Sequence, residues 1–109
     1  YQSSGATVAL PAGSVVMDVV VSVGTAWIGG TKVEIGDGTD VDGWVSATQG
    51  ATSNLTVGAT LRAGGAYAVG ASDGTAKALG KVYAAADTID VTITGTYTAG
   101  DADVFVRYI

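Results

Sequence analysis

The residues best suited to chemistry form one short acidic loop. Asp37, Asp40 and Asp42 are spaced i, i+3 and i+5, and neighbouring glycines permit sharp bends. Carboxylates that converge in this way can bind a hard cation such as Ca²⁺, with backbone carbonyls as further ligands. The ligand spacing and final glutamate of an EF-hand are absent, and Asp and Gly are also ordinary turn residues. We therefore expect a structural loop without a metal, and calcium binding is the alternative for this segment.

Catalytic side chains are scarce. The chain of 109 residues has no histidine and no cysteine, so the commonest general bases, thiol nucleophiles and transition-metal ligands are missing. Glu34 is the only glutamate, and its place between apolar residues predicts a side chain that points to solvent rather than into a catalytic cleft. We expect no enzymatic activity and no cofactor.

Aromatic residues offer a second chemistry, that of binding. Rings on a sheet surface can stack on sugars or anchor a protein interface, and they also fill cores. The residues predicted to form an interface are Trp27, Trp44, Tyr108, Arg62 and Arg107. The three aromatic residues would make the contacts and the two arginines would lie at the rim. Trp27, beside Gly29 and Gly30 in an expected loop, is the better anchor of the two tryptophans.

Strands must position these side chains, because apolar residues recur with a period of two. Residues 88–96 give the clearest alternation, and residues 7–10, 31–35, 55–62 and 104–109 give others. In residues 15–23 the residues predicted to face the core are Val15, Met17, Val19, Val21 and Val23. In residues 55–62 they are Leu55, Val57, Ala59 and Leu61. Tight turns are predicted at residues 11–14, 72–74 and 99–101. The pattern predicts an all-β, antiparallel β-sandwich of about eight or nine short strands.

Composition limits the partners. Only 14% of residues are charged, against roughly a quarter in a typical soluble domain. Either part of the surface is covered by another molecule, or alanine, glycine and threonine simply form a weakly polar surface that needs no cover. The net charge is −5 and the five basic residues lie far apart, which argues against nucleic acid and anionic membranes. No apolar run approaches the roughly 20 residues of a membrane helix. We expect a single domain over residues 1–109, with residues 1–6 as a flexible N-terminal arm.

Several strand and turn segments together resemble a known family. They are LPAGSVV at 10–16, VEIGDGTDVDGW at 33–44, GKVYA at 80–84, IDVTI at 89–93 and VFVRYI at 104–109. The set resembles small virion proteins of tailed bacteriophages, of the decoration or cement type. The resemblance covers about residues 10–109 and contains no catalytic motif. It implies a jelly-roll-like sandwich, often a homotrimer, that binds the major capsid protein on the outer capsid surface and stabilises the virion by bridging capsomers.

Two alternatives remain open at this stage. One is a carbohydrate-binding module of a phage fibre or surface protein, which would use exposed tryptophans. The other is a subunit of an extracellular filament or head fibre, in which residues 7–10 would form a strand swapped between chains.

Overall fold

The computed structural model describes residues 5–68 and 80–109, which form two antiparallel sheets packed against each other. The strands are β1 (Gly5–Leu10), β2 (Ser14–Ile28), β3 (Lys32–Gly36), β4 (Thr60–Arg62), β5 (Lys81–Tyr83), β6 (Asp87–Thr94) and β7 (Ala99–Tyr108). One turn of 3₁₀ helix spans Thr52–Asn54, and the described residues contain no α-helix. The prediction of an antiparallel β-sandwich is confirmed, and seven strands lie in the described ranges where about eight or nine were predicted.

The larger sheet is organised by β2. This strand pairs with β7 along one edge and with β4 and β5, one after the other, along the opposite edge. Val20, for example, lies between Arg62 of β4 and Phe105 of β7. The 15 residues of β2 therefore fix the relative positions of three other strands.

A bulge in β2 changes which residues face the core. The register with β7 shifts around Met17, which is left as an extra residue opposite β7. Because side chains alternate with a period of two, one extra residue reverses the face of everything on its far side. Val16 is therefore fully buried, and the prediction that Val15 and Met17 face the core is wrong. Beyond the bulge, the predicted inward positions from Val19 to Val23 are confirmed.

The smaller sheet has the strand order β1-β6-β3. The alternation of β6 is confirmed, with Ile89 buried and its apolar neighbours on the same face packed against the core. Residues 44–51 run beside the edge of β3 that β6 does not occupy and form isolated bridges to it. The residues of β3 after Lys32 are all buried, so both faces of this strand are covered. Strand β1 begins at Gly5, so the last two residues of the predicted arm belong to the sheet, and residues 1–4 lie outside the described range.

Two further segments differ from the prediction because glycine plays another role. Residues 99–101 begin β7 instead of forming a turn, and the connection from β6 is at residues 95–98. A Cβ at Gly100 would lie 2.7 Å from the ring of Trp27, so this glycine permits a close approach within the strand. In residues 55–62, Gly58 has φ 79° and only Thr60–Arg62 is a strand. Val57, predicted to face the core, is 69% exposed. The predicted turn at residues 72–74 lies outside the described residues.

Candidate functional site

The acidic loop folds around one buried carboxylate. Asp37 follows β3 and is almost completely inaccessible to solvent. Its Oδ1 accepts hydrogen bonds from the backbone N–H groups of Thr39 (3.0 Å) and Asp40 (2.9 Å), which form an Asx turn. Its Oδ2 accepts hydrogen bonds from Lys81 Nζ (2.5 Å) and from the hydroxyl of Tyr83 (2.9 Å). Both oxygens of this carboxylate are therefore occupied by donors of the same chain.

Aromatic residues complete the surroundings of this ion pair. Lys81 Nζ donates a second hydrogen bond to the hydroxyl of Tyr67 (3.1 Å) and lies 4.3 Å from the ring centroid of Tyr67 and 4.7 Å from that of Tyr83. Trp44 Nε1 donates a hydrogen bond to the Tyr83 hydroxyl at 3.1 Å. We call Asp37, Trp44, Tyr67, Lys81 and Tyr83 the buried polar cluster. It connects the acidic loop to β5, on the other side of the core.

The electrostatics of the buried polar cluster favour a permanent ion pair. Burial tends to raise the pKa of Asp37, but the hydrogen bonds from Lys81, Tyr83 and the loop backbone outweigh it and lower this pKa below its usual value. Burial tends to lower the pKa of Lys81, but hydrogen bonds with Asp37 and Tyr67 raise it overall. Burial, the largest cause, and the negative charge of Asp37 raise the pKa of Tyr83. The charged aspartate and lysine and the neutral tyrosine are thus all stabilised, which suits a structural anchor rather than a group that exchanges protons.

The arrangement of the loop does not support a calcium site on all three carboxylates. Asp37 is engaged by Lys81, so its oxygens are not free to face a cation with the other two. The pKa of Asp40 is raised, first by the hydrogen bond with the Asp42 side chain and then by burial. Within residues 5–68 and 80–109, no group of three or more His, Cys, Asp or Glu side chains could hold a metal ion. The hydrogen bonds and the ion pair of Asp37 are of the kind that a structural loop makes.

Glu34 does not point to solvent as predicted. It is buried, and one carboxylate oxygen lies 3.1 Å from Lys32 Nζ on the same side of β3. The prediction was wrong because β3 is covered on both faces, whereas the sequence pattern suggests one solvent face.

The two tryptophans predicted as contact residues have different positions. Trp44 is completely buried, so it contacts no partner and its assignment to an interface is wrong. Trp27 lies within β2, not in a loop, and is only partly exposed. It packs edge-on against Tyr97, with ring centroids 5.0 Å apart. The burial of Trp44 has a physical reason, since its Nε1 has an internal acceptor in the Tyr83 hydroxyl.

The other three predicted interface residues are exposed, but only two share a surface. Tyr108 pairs with the buried Val16, which places it on the inner side of the larger sheet, at its end. Arg62 and Arg107 both lie on the opposite, solvent-facing side. The structure therefore brings the two arginines onto one face and places Tyr108 on the other face of the sheet.

We call the solvent-facing side of the larger sheet the outer face. The cross-strand pairs place on it Val15, Asp18, Val20, Ser22, Thr60, Arg62, Val82, Asp103, Phe105, Arg107 and Ile109. Three of its apolar side chains are more than half exposed: Val82 at 63%, Phe105 at 58% and Ile109 at 84%. Arg62 Nη2 lies 2.5 Å from Asp18 Oδ2. None of the three apolar residues was predicted at an interface. The signal available was the alternation of β7, which places Phe105 opposite the core side.

A cleft of about 620 Å³ separates part of the two sheets. Inner-face residues of both sheets line it, together with residues of the two edge strands β1 and β7. Trp27 lies in its wall, and the buried Nε1 of this residue has no hydrogen-bond partner among the described residues. The cleft shows that the inner faces are incompletely closed near this end of β2.

No protein-family model matches the chain, and neither the curated proteins nor the solved structures contain a match. Within the described ranges, no helix is long and apolar enough to span a membrane.

Proposed function

We propose that this chain is a structural binding protein that attaches to another protein through its outer face. The observation that carries the proposal is the exposure of Val82, Phe105 and Ile109 on one side of one sheet. Val82 and Ile109 flank Val15 and form one apolar patch, and the Asp18–Arg107 pair lies between this patch and Phe105. Exposed apolar patches mark interaction sites on proteins in water. A stable sheet can present such a patch without rearrangement, because its backbone positions are fixed by β2.

The charges on the outer face suit a protein partner. Asp18 forms an ion pair with Arg62 and lies opposite Arg107 in the register. Protein interfaces are poor in charged residues at their centres but rich in aromatic residues and arginine. The outer face carries two arginines and one phenylalanine, with Phe105 beside Arg107 on β7 and level with Arg62 across β2, and it has apolar residues at the β5 end.

The partner that the sequence resemblance favours is the major capsid protein, on the outside of a phage particle. In that role the chain would stabilise the shell by burying surface across the joints between capsomers. A standard interface buries about 1,600 Å² in total, and many identical copies on one shell add their effects. The trimer implied by the resemblance belongs to the same proposal.

The alternatives gain less from the geometry. A carbohydrate-binding surface built on two tryptophans loses Trp44, which is buried. A fibre subunit with a swapped N-terminal strand would need β1 to leave its own sheet, but β1 pairs with β6 of the same chain over five register positions.

The test is co-sedimentation with capsids assembled from the major capsid protein of the same genome. Val82→Asp introduces a charge on the outer face, and Val57→Asp is the matched control, because Val57 has similar exposure (69%) but lies in the loop before β4. We expect the wild type and Val57→Asp to bind, and the affinity of Val82→Asp to be lower by a factor of about ten or more. Equal binding by all three proteins would show that the outer face is not the contact, and absence of binding by the wild type would exclude the capsid as partner.

A further inference from the structure

The edge strand β7 carries a self-complementary arrangement of side chains. Asp103, Phe105 and Arg107 alternate along its solvent-facing side, and all three are exposed. The acidic and the basic residue lie two positions before and two positions after the phenylalanine. Such a strand matches a copy of itself that runs in the opposite direction.

The outer edge of residues 103–107 has no partner strand among the described residues. Among the strands of the described residues, β7 pairs with β2 only, and β4 and β5 lie on the other side of β2. An edge strand presents unpaired N–H and C=O groups along one side, which makes it a template for a further strand. From Asp103 to Arg107 the pairing with β2 is regular, without a bulge. This segment is therefore straight enough to add a neighbour.

We propose that two copies of the chain associate through antiparallel pairing of β7 with β7, with Phe105 of one copy opposite Phe105 of the other. In this register Asp103 lies opposite Arg107 of the second copy, and the symmetry of the dimer repeats the pair. On the inner side, Val104 lies opposite Val106 of the second copy. Opposite charges and aromatic residues that face each other across two strands both stabilise the pairing.

Neighbouring registers are less favourable. Centring the two-fold axis on Asp103 would place the two aspartates opposite each other, and centring it on Arg107 would do the same for the arginines. Directly opposed like charges destabilise a strand pair. Among the registers centred on an outer-face residue of this segment, the sequence therefore favours the one centred on Phe105. Centring the axis on Val104 would instead place Asp101 opposite Arg107 and Asp103 opposite Phe105, and substitution of Asp101 distinguishes that register.

A protective role for these charges would produce another pattern. Edges that avoid association use charged side chains, above all lysines, as well as prolines, bulges or inward-pointing charges. Here the two charges have opposite signs and equal distances from an exposed phenylalanine, so they repel neither each other nor a second copy. The inference is independent of the capsid proposal, because it concerns the edge of the sheet and needs no other protein. A two-fold contact through β7 is also distinct from the contacts of the proposed trimer, since a three-fold ring uses two different surfaces of each copy.

The test uses charge reversal and sedimentation equilibrium. Asp103→Arg gives a chain with arginine at both positions, and Arg107→Asp gives one with aspartate at both. For each variant alone, the affinity of dimerisation should be lower than that of the wild type by a factor of about ten or more, because every cross-strand charge pair becomes repulsive. An equimolar mixture of the two variants should form a heterodimer with about wild-type affinity, because all the pairs are again attractive.

Mixing distinguishes recognition from misfolding, since two unfolded chains would not restore each other. Asp101→Arg is the control on the same strand, because the register places Asp101 opposite Ile109, and it should change the affinity less than either reversal. A wild type that remains monomeric at about 100 µM would overturn the inference. A mixture no tighter than the single variants would overturn it as well, whatever the assembly state of the wild type.

Discussion

Replacing Asp37 by asparagine tests whether the buried polar cluster holds the acidic loop to the rest of the sandwich. Asparagine keeps the size of the side chain, and its carbonyl oxygen can still accept the two loop N–H groups. What is lost is the negative charge opposite Lys81, together with the acceptor for the Tyr83 hydroxyl. The lysine would remain without its counter-ion.

The magnitude follows from burial. Removing one member of a buried ion pair costs about 3–5 kcal/mol, because the other charge is left unpaired. The Asp37 side chain is fully buried, but that of Lys81 retains 24% exposure and can be partly hydrated, so we expect the lower end of the range. A loss of about 3 kcal/mol corresponds to a fall in Tm of about 10–20 °C for a domain of this size.

The assay is urea denaturation followed by circular dichroism at several pH values. The folded-state pKa of Asp37 is depressed, so its contribution is complete above the unfolded-state pKa of about 3.9 and disappears as the pH falls through the lower folded-state value. The wild type and Asp37→Asn should therefore differ most near neutral pH and converge in acid. Asp42→Asn, in the same loop but outside the ion pair, is the control and should stay within about 0.5 kcal/mol of the wild type.

Two results would refute this reasoning. One is a loss of less than about 1 kcal/mol in Asp37→Asn at neutral pH, since that is the size of an exposed pair. The other is a difference from the wild type that stays constant down to the lowest pH, because a lost ion pair must titrate.

Two further predictions concern stability and use the same denaturation assay. Gly50→Ala should destabilise the fold by more than about 3 kcal/mol, because a Cβ there would clash with the backbone carbonyl oxygen of Val33, whereas a Cβ at Gly38 meets no atom of the described residues within 4 Å and Gly38→Ala should be nearly neutral. Similar losses in the two glycine variants would contradict this. Trp44→Phe should cost about 1–3 kcal/mol more than Trp27→Phe, because Trp44 Nε1 donates to the Tyr83 hydroxyl, whereas the Nε1 of Trp27 has no partner within residues 5–68 and 80–109. A costlier Trp27→Phe would indicate that its indole nitrogen has an acceptor in solution.

The β-sandwich can be predicted from the sequence, because the side chains of a strand alternate between its two faces and the apolar residues of this chain show that alternation. Strand β6 illustrates this, since Ile89 and its neighbours alternate without interruption and face the core as expected. The local sequence pattern fails to predict the structure where a contact between distant residues decides the backbone conformation. The bulge at Met17 leaves no mark in a run of valines, and Gly100 resembles a turn glycine until Trp27 is seen beside it.

The candidate site was less accessible to prediction for the same reason. The spacing of the loop predicts that Asp37 belongs to a group of carboxylates, but its partners in the fold, Lys81 and Tyr83, lie more than 40 residues away along the chain. Only the fold brings β5 next to the acidic loop. The arginines of the outer face were predicted correctly as exposed, whereas the apolar residues beside them resembled core positions because valine, phenylalanine and isoleucine are typical of buried strands.

The pairing of β2 with β7 has a consequence for biosynthesis. Along one edge, residues 16–28 find their partners only at residues 99–108, so the larger sheet cannot close while the ribosome is still producing the intervening chain. Until β7 emerges, that edge of β2 is unpaired, and loop closure over this span is slow. Newly made polypeptide therefore passes through an interval in which one edge of β2 is open to chaperones or to other nascent chains.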